Sequence, residues 1–285
     1  MKLPPFDYAC PTTLPDAIAL LASHDGDAKA LAGGQSLMPM LAFRLAQPAL
    51  LVDLRKLADL RGIRISDRGV ALGAMVRWRD IEDDVRLDHA HPLLKAAIAH
   101  VAHYQIRNRG TVGGSIAHAD PAAEMPGIAM TCDAEIAVAG KSGARVIQAA
   151  DFFQGPLTTA LTPDEIIVEV RLPPWPARRR WGFQEFARRR GDFAMAAAAV
   201  FYDEDANGKA RNAHVGAIGV GDRPLRLAAA EDVLNGRSVA DATIAQAEAA
   251  ASAAVDPQDD IHASAAYRRA LIGTMVERAL KRAAA

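Results

Sequence analysis

The chain has 285 residues, of which 51% are hydrophobic and 24% charged, the composition of a globular protein long enough for about two domains. A formal net charge of −1 excludes bulk electrostatic attraction to nucleic acid or to an anionic membrane. The two cysteines, Cys10 and Cys132, form no CxxC, which excludes a cysteine cluster for iron–sulfur or structural zinc and leaves free thiols in a reducing compartment as the expectation.

The first segment, MKLPPFDYACP, is Pro-rich and extended, without the apolar region of a signal peptide. No apolar run reaches membrane-span length, so the expected location is cytoplasmic. Thr13 is placed to cap a short helix that carries Ile18, Leu20 and Leu21 and ends near Gly26. Lys29 to Ala32 reads as a strand, Gly33-Gly34-Gln35-Ser36 as a loop, and Leu37 to Leu45 as a helix. Leu50 to Leu54 then gives a buried strand carrying Asp53. Short strands around Ile63–Ile65 and Val70–Leu72 turn at Asp67-Arg68-Gly69. Pro92 to Arg107 reads as one helix, with Leu93, Leu94, Ala97, Ile98 and Val101 as its apolar stripe. His89, His91, His100 and His103 lack a third ligand at a metal spacing, and capping or solvated roles are expected for them. Lys141-Ser142-Gly143 reads as a hairpin turn between Ile136–Val138 and Val146–Gln148; it is no P-loop, since Glu135 occupies the required glycine position.

After Pro173 the composition changes. Pro174-Trp175-Pro176 and Arg178-Arg179-Arg180 mark a linker. Trp181 to Arg190 reads as a strand, and Ala194–Asp203 and Ala210–Val220 as a hairpin around Asn207-Gly208. Helices follow at Leu225–Leu234, Asp241–Ala254 and Ala265–Arg282. The arginines at 178–180 and 188–190 read as a solvated face or as a surface for a partner or an anionic cofactor.

One stretch stands apart: IRNRGTVGGSIAHADPAAEMP, residues 106–126. Gly113 and Gly114 sit between Thr111 and Ser115, with Asp120 and Glu124 beyond. A Gly-Gly pair admits close backbone approach and φ > 0, and successive N–H groups can converge on an anion. The pair echoes Gly33-Gly34 with Gln35 and Ser36. Two such loops suggest two walls around one elongated, phosphate-bearing ligand, whose charge needs many donors once water is excluded. A plain turn is the alternative for either loop taken alone. The dinucleotide fingerprint G-x-G-x-x-G is absent.

The runs LAGGQSLMPMLAFRLAQPALLVDLRK and IRNRGTVGGSIAHADPAAEMP resemble the FAD-binding medium subunit of the molybdenum hydroxylases, the family of the flavoprotein subunits of aerobic carbon monoxide dehydrogenase and xanthine dehydrogenase-like enzymes. LTPDEIIVEVRLP and FARRRGDFAMAAAAV resemble the family's later segments, so the likeness covers nearly the whole chain. It implies an α+β fold: a two-subdomain, PCMH-like FAD-binding domain over residues 1–175, dividing near residue 56, and a C-terminal α+β domain of three strands and a helical bundle over 176–285. It implies that Leu31, Ala32, Gly33, Gly34, Gln35, Ser36 and Leu37 wrap the FAD diphosphate from one side and Thr111, Gly113, Gly114 and Ser115 from the other. Asp120 and Glu124 match acidic positions near the flavin, Leu161 an apolar neighbour of the ring, and Asp192-Phe193 a Gly-Asp-aromatic run that borders it. Gln184 stands about where some relatives carry lysine, so that lysine's role does not carry over.

The resemblance further implies no catalytic acid or base and no metal on this chain. Electrons would reach FAD from [2Fe–2S] clusters on a small subunit, which takes them from a molybdopterin-binding large subunit, in a dimer of heterotrimers. They would leave to an external acceptor. From the residues alone, Asp120 also reads as an Asp-Pro turn, Asp192 as a turn cap and Phe193 as core. A free-standing flavin oxidoreductase and a scaffold subunit with a vestigial flavin site stand as the alternative functions.

Overall fold

The computed structural model describes residues 2–285. Strand β1 (Asp7–Ala9), helix α1 (Leu14–Ala22), strand β2 (Ala28–Leu31), helix α2 (Leu37–Ala42) and strand β3 (Leu50–Asp53) form the first unit. Its strands make a parallel three-stranded sheet in the order β1-β3-β2. Thr13 caps α1, its hydroxyl accepting from the Asp16 N–H at 3.3 Å. Helix α2 stops at Ala42 rather than running to Leu45, because Arg44 takes a left-handed φ of 60° and the Leu45 N–H returns to the Met40 carbonyl at 2.9 Å.

The second unit contains β4 (Ile63–Ser66), β5 (Gly69–Gly73), α3 (Trp78–Asp83), α4 (Leu87–Ala90), α5 (Pro92–Ile98), α6 (Tyr104–Arg107), α7 (Val112–His118) and α8 (Glu124–Thr131). It continues with β6 (Glu135–Gly140), β7 (Gly143–Gln148), α9 (Ala149–Phe152), β8 (Phe153–Gly155), β9 (Thr158–Thr159) and β10 (Ile166–Leu172). Five strands make one antiparallel sheet, β4-β5-β10-β6-β7. The expected helix from Pro92 to Arg107 is two helices. Ala102 adopts φ 42° between them, and the Arg107 guanidinium takes the carbonyls of Val101 and Ala102, each at 3.0 Å, which a continuous helix would need for its own ladder. His91 is buried at the start of α5, where its Nδ1 accepts from the Leu94 N–H at 3.2 Å. Burial, joined by the nearby Arg179 charge, pushes its imidazole down to about 3, so it caps as the neutral ring.

The third unit has β11 (Arg180–Phe186), β12 (Ala196–Glu204), β13 (Ala210–Ile218), β14 (Leu225–Arg226), α10 (Ala228–Leu234), α11 (Asp241–Ala253) and α12 (Ala265–Ala284). Its sheet has four strands, β11-β12-β13-β14, rather than three. Leu225 and Arg226 are extended because they pair with Ala217 and Gly216, which delays the helix to Ala228.

Strand β12 explains how this unit is held. Ala197, Ala199 and Phe201 point into the core shared with the second unit, while Ala196, Ala198, Val200 and Tyr202 point into the core under α10–α12. Period-2 alternation with apolar residues on both faces is the pattern of a strand covered on two sides. Its alanines let both layers approach closely. The linker adds a clamp: Arg179 makes a bidentate ion pair with Asp203, both bonds 2.9 Å, while its guanidinium lies over the rings of Phe201 and Trp175. Trp175 in turn packs on His91, centroids 4.5 Å apart. The third unit is thereby fixed against the second, and a large cleft remains where all three meet.

Candidate functional site

The cleft has a volume near 1910 Å³, above the roughly 300–1,000 Å³ of ordinary small-molecule pockets and sufficient for an elongated ligand. One wall is the loop after β2. Leaving a sheet into a helix, the chain must turn sharply, and Gly34 does so at φ 72°. Ala32, Gly33, Gly34, Gln35, Ser36 and Leu37 all line the cleft. Leu31 does not: strand alternation turns it away, into a small core with Leu41 and Leu51. The Gln35 amide folds onto its own loop, donating to the Gly33 carbonyl at 2.9 Å. Among the described residues, nothing accepts from the N–H groups of Gly34, Gln35, Ser36 and Leu37. Four successive free donors on a cleft wall are a cradle for an anion.

The opposite wall is built differently from the expected loop. Gly113 and Gly114 lie in the first turn of α7, with Thr111 as its cap. The Thr111 hydroxyl accepts from the Gly114 N–H at 3.2 Å. The N–H groups of Val112 and Gly113 go to the carbonyls of Val76 and Ala74 at 2.9 and 2.8 Å, and that of Ser115 to the Thr111 carbonyl at 3.0 Å. This turn therefore has no backbone donor to spare. The glycines serve packing instead. A Cβ on Gly113 would press on Ala74, and a Cβ on Gly33 would collide with the Arg109 carbonyl. The two Gly-Gly stretches thus touch each other's neighbourhood and set the width of the cleft. What this wall presents to a ligand is side chains: the hydroxyls of Thr111 and Ser115, which both line the cleft.

Beyond α7, Ala119 takes φ 52° and ends the helix. Asp120 then uses one carboxylate oxygen to accept from the Ala122 N–H at 2.8 Å, an Asx turn, and still borders the cleft. Glu124 opens α8, is 5% exposed and also borders the cleft. Burial, with the nearby charges of Glu185 and Asp120, pushes its carboxyl up to about 8. His118 borders the cleft as well, and burial lowers its pKa against the pull of Asp120.

Leu161 lines the cleft from the loop after β9, half-buried against the main core. Asp192 and Phe193 line it from the third unit. Gly191 at φ 90° seats that turn against His103 and the Ala102 carbonyl. Phe193 is 59% exposed, so it is not core; its ring is free to face a ligand. Gln184 lies mid-strand opposite Ala198 and does not line the cleft.

Sequence reasoning missed the rest of this wall. Arg268, 7% exposed on α12, donates to the carbonyls of Met195 and Gly219 at 2.8 and 2.9 Å and to Asp260 at 2.6 Å. It ties three loops of the third unit together at the cleft's edge. An arginine on a predicted amphipathic helix carries no signal of this; only the unusual burial reveals it.

No group of three or more His, Cys, Asp or Glu side chains that could hold a metal ion occurs among the described residues. The donors instead suit a dinucleotide: free N–H groups for a diphosphate, hydroxyls and carboxylates for a polyol chain, and apolar Leu161 and Phe193 for a planar ring.

Comparison with known proteins extends this reading. Residues 4–175 match the family described as FAD binding domain in molybdopterin dehydrogenase, and residues 181–283 the family described as CO dehydrogenase flavoprotein C-terminal domain. The chain is 40% identical over 283 residues to subunit alpha of the 6-hydroxypseudooxynicotine dehydrogenase complex of Paenarthrobacter nicotinovorans, covering 99% of this chain and 96% of that one. It is 35% identical to the carbon monoxide dehydrogenase medium chain of Hydrogenophaga pseudoflava, over 98% of this chain and 97% of that one. Among solved structures it is similar to quinoline 2-oxidoreductase from Pseudomonas putida 86, at a TM-score of 0.94 and 39% identity over 100% of this chain and 98% of that one. A carbon monoxide dehydrogenase from Hydrogenophaga pseudoflava gives a TM-score of 0.96 at 37% identity, over 99% of this chain and 98% of that one.

Proposed function

The chain belongs to the FAD-binding medium subunits of the molybdenum hydroxylases, and from that premise we propose that its cleft holds FAD and conducts electrons between a partner subunit and an external acceptor. It is the flavoprotein subunit of an oxidoreductase complex. Bound FAD supplies two-electron chemistry with access to single-electron steps, so it suits a junction between one-electron clusters and an acceptor. The chain's own work is to bind and orient it.

The observation that carries the reading is the row of uncommitted N–H groups from Gly34 to Leu37 on a cleft of this size. They would take the diphosphate. Ala32 and Gly33 hold that loop against the opposite wall. Thr111 and Ser115 would donate hydroxyl hydrogen bonds across the cleft, and Gly113 and Gly114 keep the wall thin. Asp120 and Glu124 would accept from hydroxyl or N–H groups of the cofactor. Leu161 and Phe193 would cover the ring, with Asp192 at its edge. No general acid or base is required for electron passage.

The partners follow from the family: a molybdopterin-binding large subunit and a small subunit with two [2Fe–2S] clusters, in a cytoplasmic dimer of heterotrimers. No helix here is long and apolar enough to cross a membrane among the described residues. The test is co-expression with the neighbouring subunits, followed by a visible spectrum and chromatographic identification of the released chromophore. FAD in the assembled complex, bleached when substrate is added without air, is the expected result. An assembled complex without flavin would make this chain a scaffold.

A further inference from the structure

Between α5 and α6 the chain breaks into a turn whose shape one side chain imposes. Ala102 sits at φ 42°, a left-handed conformation that is costly for a residue with a Cβ and persists only where its surroundings enforce it. Arg107 enforces it. From the end of α6 its Nη1 donates to the carbonyls of Val101 and Ala102, each at 3.0 Å. The guanidinium is held in turn by α3: its Nε lies 3.0 Å from Oε1 of Glu82, with the two side chains 19% and 20% exposed.

This turn faces the third unit. Val101, Ala102 and His103 line the cleft, and so do Gly191, Asp192 and Phe193 on the loop between β11 and β12. The two loops touch. A Cβ on Gly191 would lie 2.6 Å from Cε1 of His103 and 2.7 Å from the Ala102 carbonyl oxygen, so a side chain there would lift the second loop off the first. His100 adds to the contact, packing edge-on to Phe183 of β11 with ring centroids 5.1 Å apart. Within the second loop the Asp192 N–H donates to the Arg189 carbonyl at 3.1 Å and the Met195 N–H to the Phe186 carbonyl at 2.9 Å. Phe193 is 59% exposed and belongs to none of the apolar cores. Its place at the cleft is therefore set by the backbone beneath it.

We infer that Arg107 is a positioning residue for the ring end of the cleft. Through the carbonyls of Val101 and Ala102 it builds the seat on which Gly191 rests, and so holds Asp192 and Phe193 in place. The inference deepens the reading of the cleft as a flavin site and rests on that reading for what the loop covers. Arg107 does not itself line the cleft. It acts from the second unit on a wall supplied by the third, whereas the Gly34–Leu37 cradle belongs to the first.

The experiment is hydrogen–deuterium exchange of the flavin-free full chain, read by mass spectrometry, followed by flavin titration. Arg107→Ala is expected to speed exchange at least about tenfold in residues 99–107 and, across the unit boundary, in residues 192–195, because hydrogen bonds from a charged group are among the stronger ones. Strands β1–β3 keep their wild-type exchange. A purely local structural role would loosen 99–107 alone. Arg107→Lys, which keeps a cation able to donate to both carbonyls, recovers most of the protection. Arg107→Gln gives an intermediate acceleration and serves if the alanine variant does not fold. Gly191→Ala lifts the loop from its other side, and Arg107→Ala added to it speeds residues 192–195 no further, since both changes break one contact. With FAD bound, Arg107→Ala shifts the visible circular dichroism of the flavin to that of Phe193→Ala and keeps the wild-type preference for FAD over FMN. Wild-type exchange at 192–195 in Arg107→Ala and Arg107→Gln overturns the inference, as does additive acceleration in the double variant or an unchanged flavin dichroism. Coupled loosening of the two loops in a chain that binds no flavin would sink the functional reading and leave the positioning role standing.

Discussion

The β2–α2 loop and the start of α7 each carry a Gly-Gly pair with a hydroxyl side chain within the next two residues, but the first leaves four successive N–H groups free while the second commits its own to Ala74, Val76 and Thr111. The difference lies in what each pair precedes. After Gly34 the chain turns at positive φ and only then begins a short helix. After Thr111 the chain is already helical, and its orphan donors are met by a neighbouring segment and a threonine cap. A Gly-Gly pair reports that something approaches closely. At Gly33 and Gly113 that something is the protein's own backbone and Ala74; at Gly34 to Leu37 it is left for a ligand. The first wall recognises through backbone, the second through side chains.

If the second wall works through side chains, the largest effect should come from a carboxyl. Glu124 has its pKa raised to about 8 chiefly by burial. A raised folded-state value means that its contribution to stability is full below its ordinary pKa and is lost as pH rises through about 8. Each pH unit in that window costs about 1.4 kcal/mol. Urea denaturation of the flavin-free chain across this range should show Glu124→Gln gaining on the wild type as pH rises. A difference that does not change with pH would contradict the burial argument.

Next in size is Gly33→Val, which drives a side chain into the Arg109 carbonyl. It should cost about 3 kcal/mol and widen or collapse the cleft, measured as a lower urea midpoint together with loss of flavin. Gly34→Ala should cost about 1–2 kcal/mol, because φ 72° disfavours any Cβ. If the first wall holds the diphosphate, it should also weaken FAD more than FMN in a fluorescence-quenching titration. The smallest effect is expected for Thr111→Ala, about 1 kcal/mol from the lost helix cap, with a modest and equal loss for both flavins. A Thr111→Ala loss confined to FAD would reverse the roles of the two walls.

Much of this architecture was legible. The Asn207-Gly208 hairpin with its two flanking strands and the Thr13 cap are local signals, and local chemistry decides them. The helical state of Val112-Gly113-Gly114 was not legible, since glycine propensity argues against it and the compensating bonds come from Ala74 and Val76, far along the chain. The break between α5 and α6 was hidden for the same reason: an apolar stripe continues through Val101, but the Arg107 side chain claims the carbonyls. Leu31 was assigned to the ligand wall by its place in a motif, whereas strand alternation sends it into the core. The contribution of Arg268 depends on three loops of the third unit converging on one guanidinium, which no window of sequence displays.

The central claim is that the Gly34–Leu37 donors hold a diphosphate. Its most direct test is to titrate the flavin-free full chain with FAD and with FMN and compare dissociation constants. FMN has a single phosphate and cannot occupy the cradle in the same way. The account predicts that FAD binds at least about tenfold more tightly, a difference of roughly 1.4 kcal/mol, and that Gly34→Ala abolishes that preference. Equal affinity for the two flavins, or an FAD preference untouched by Gly34→Ala, would contradict it.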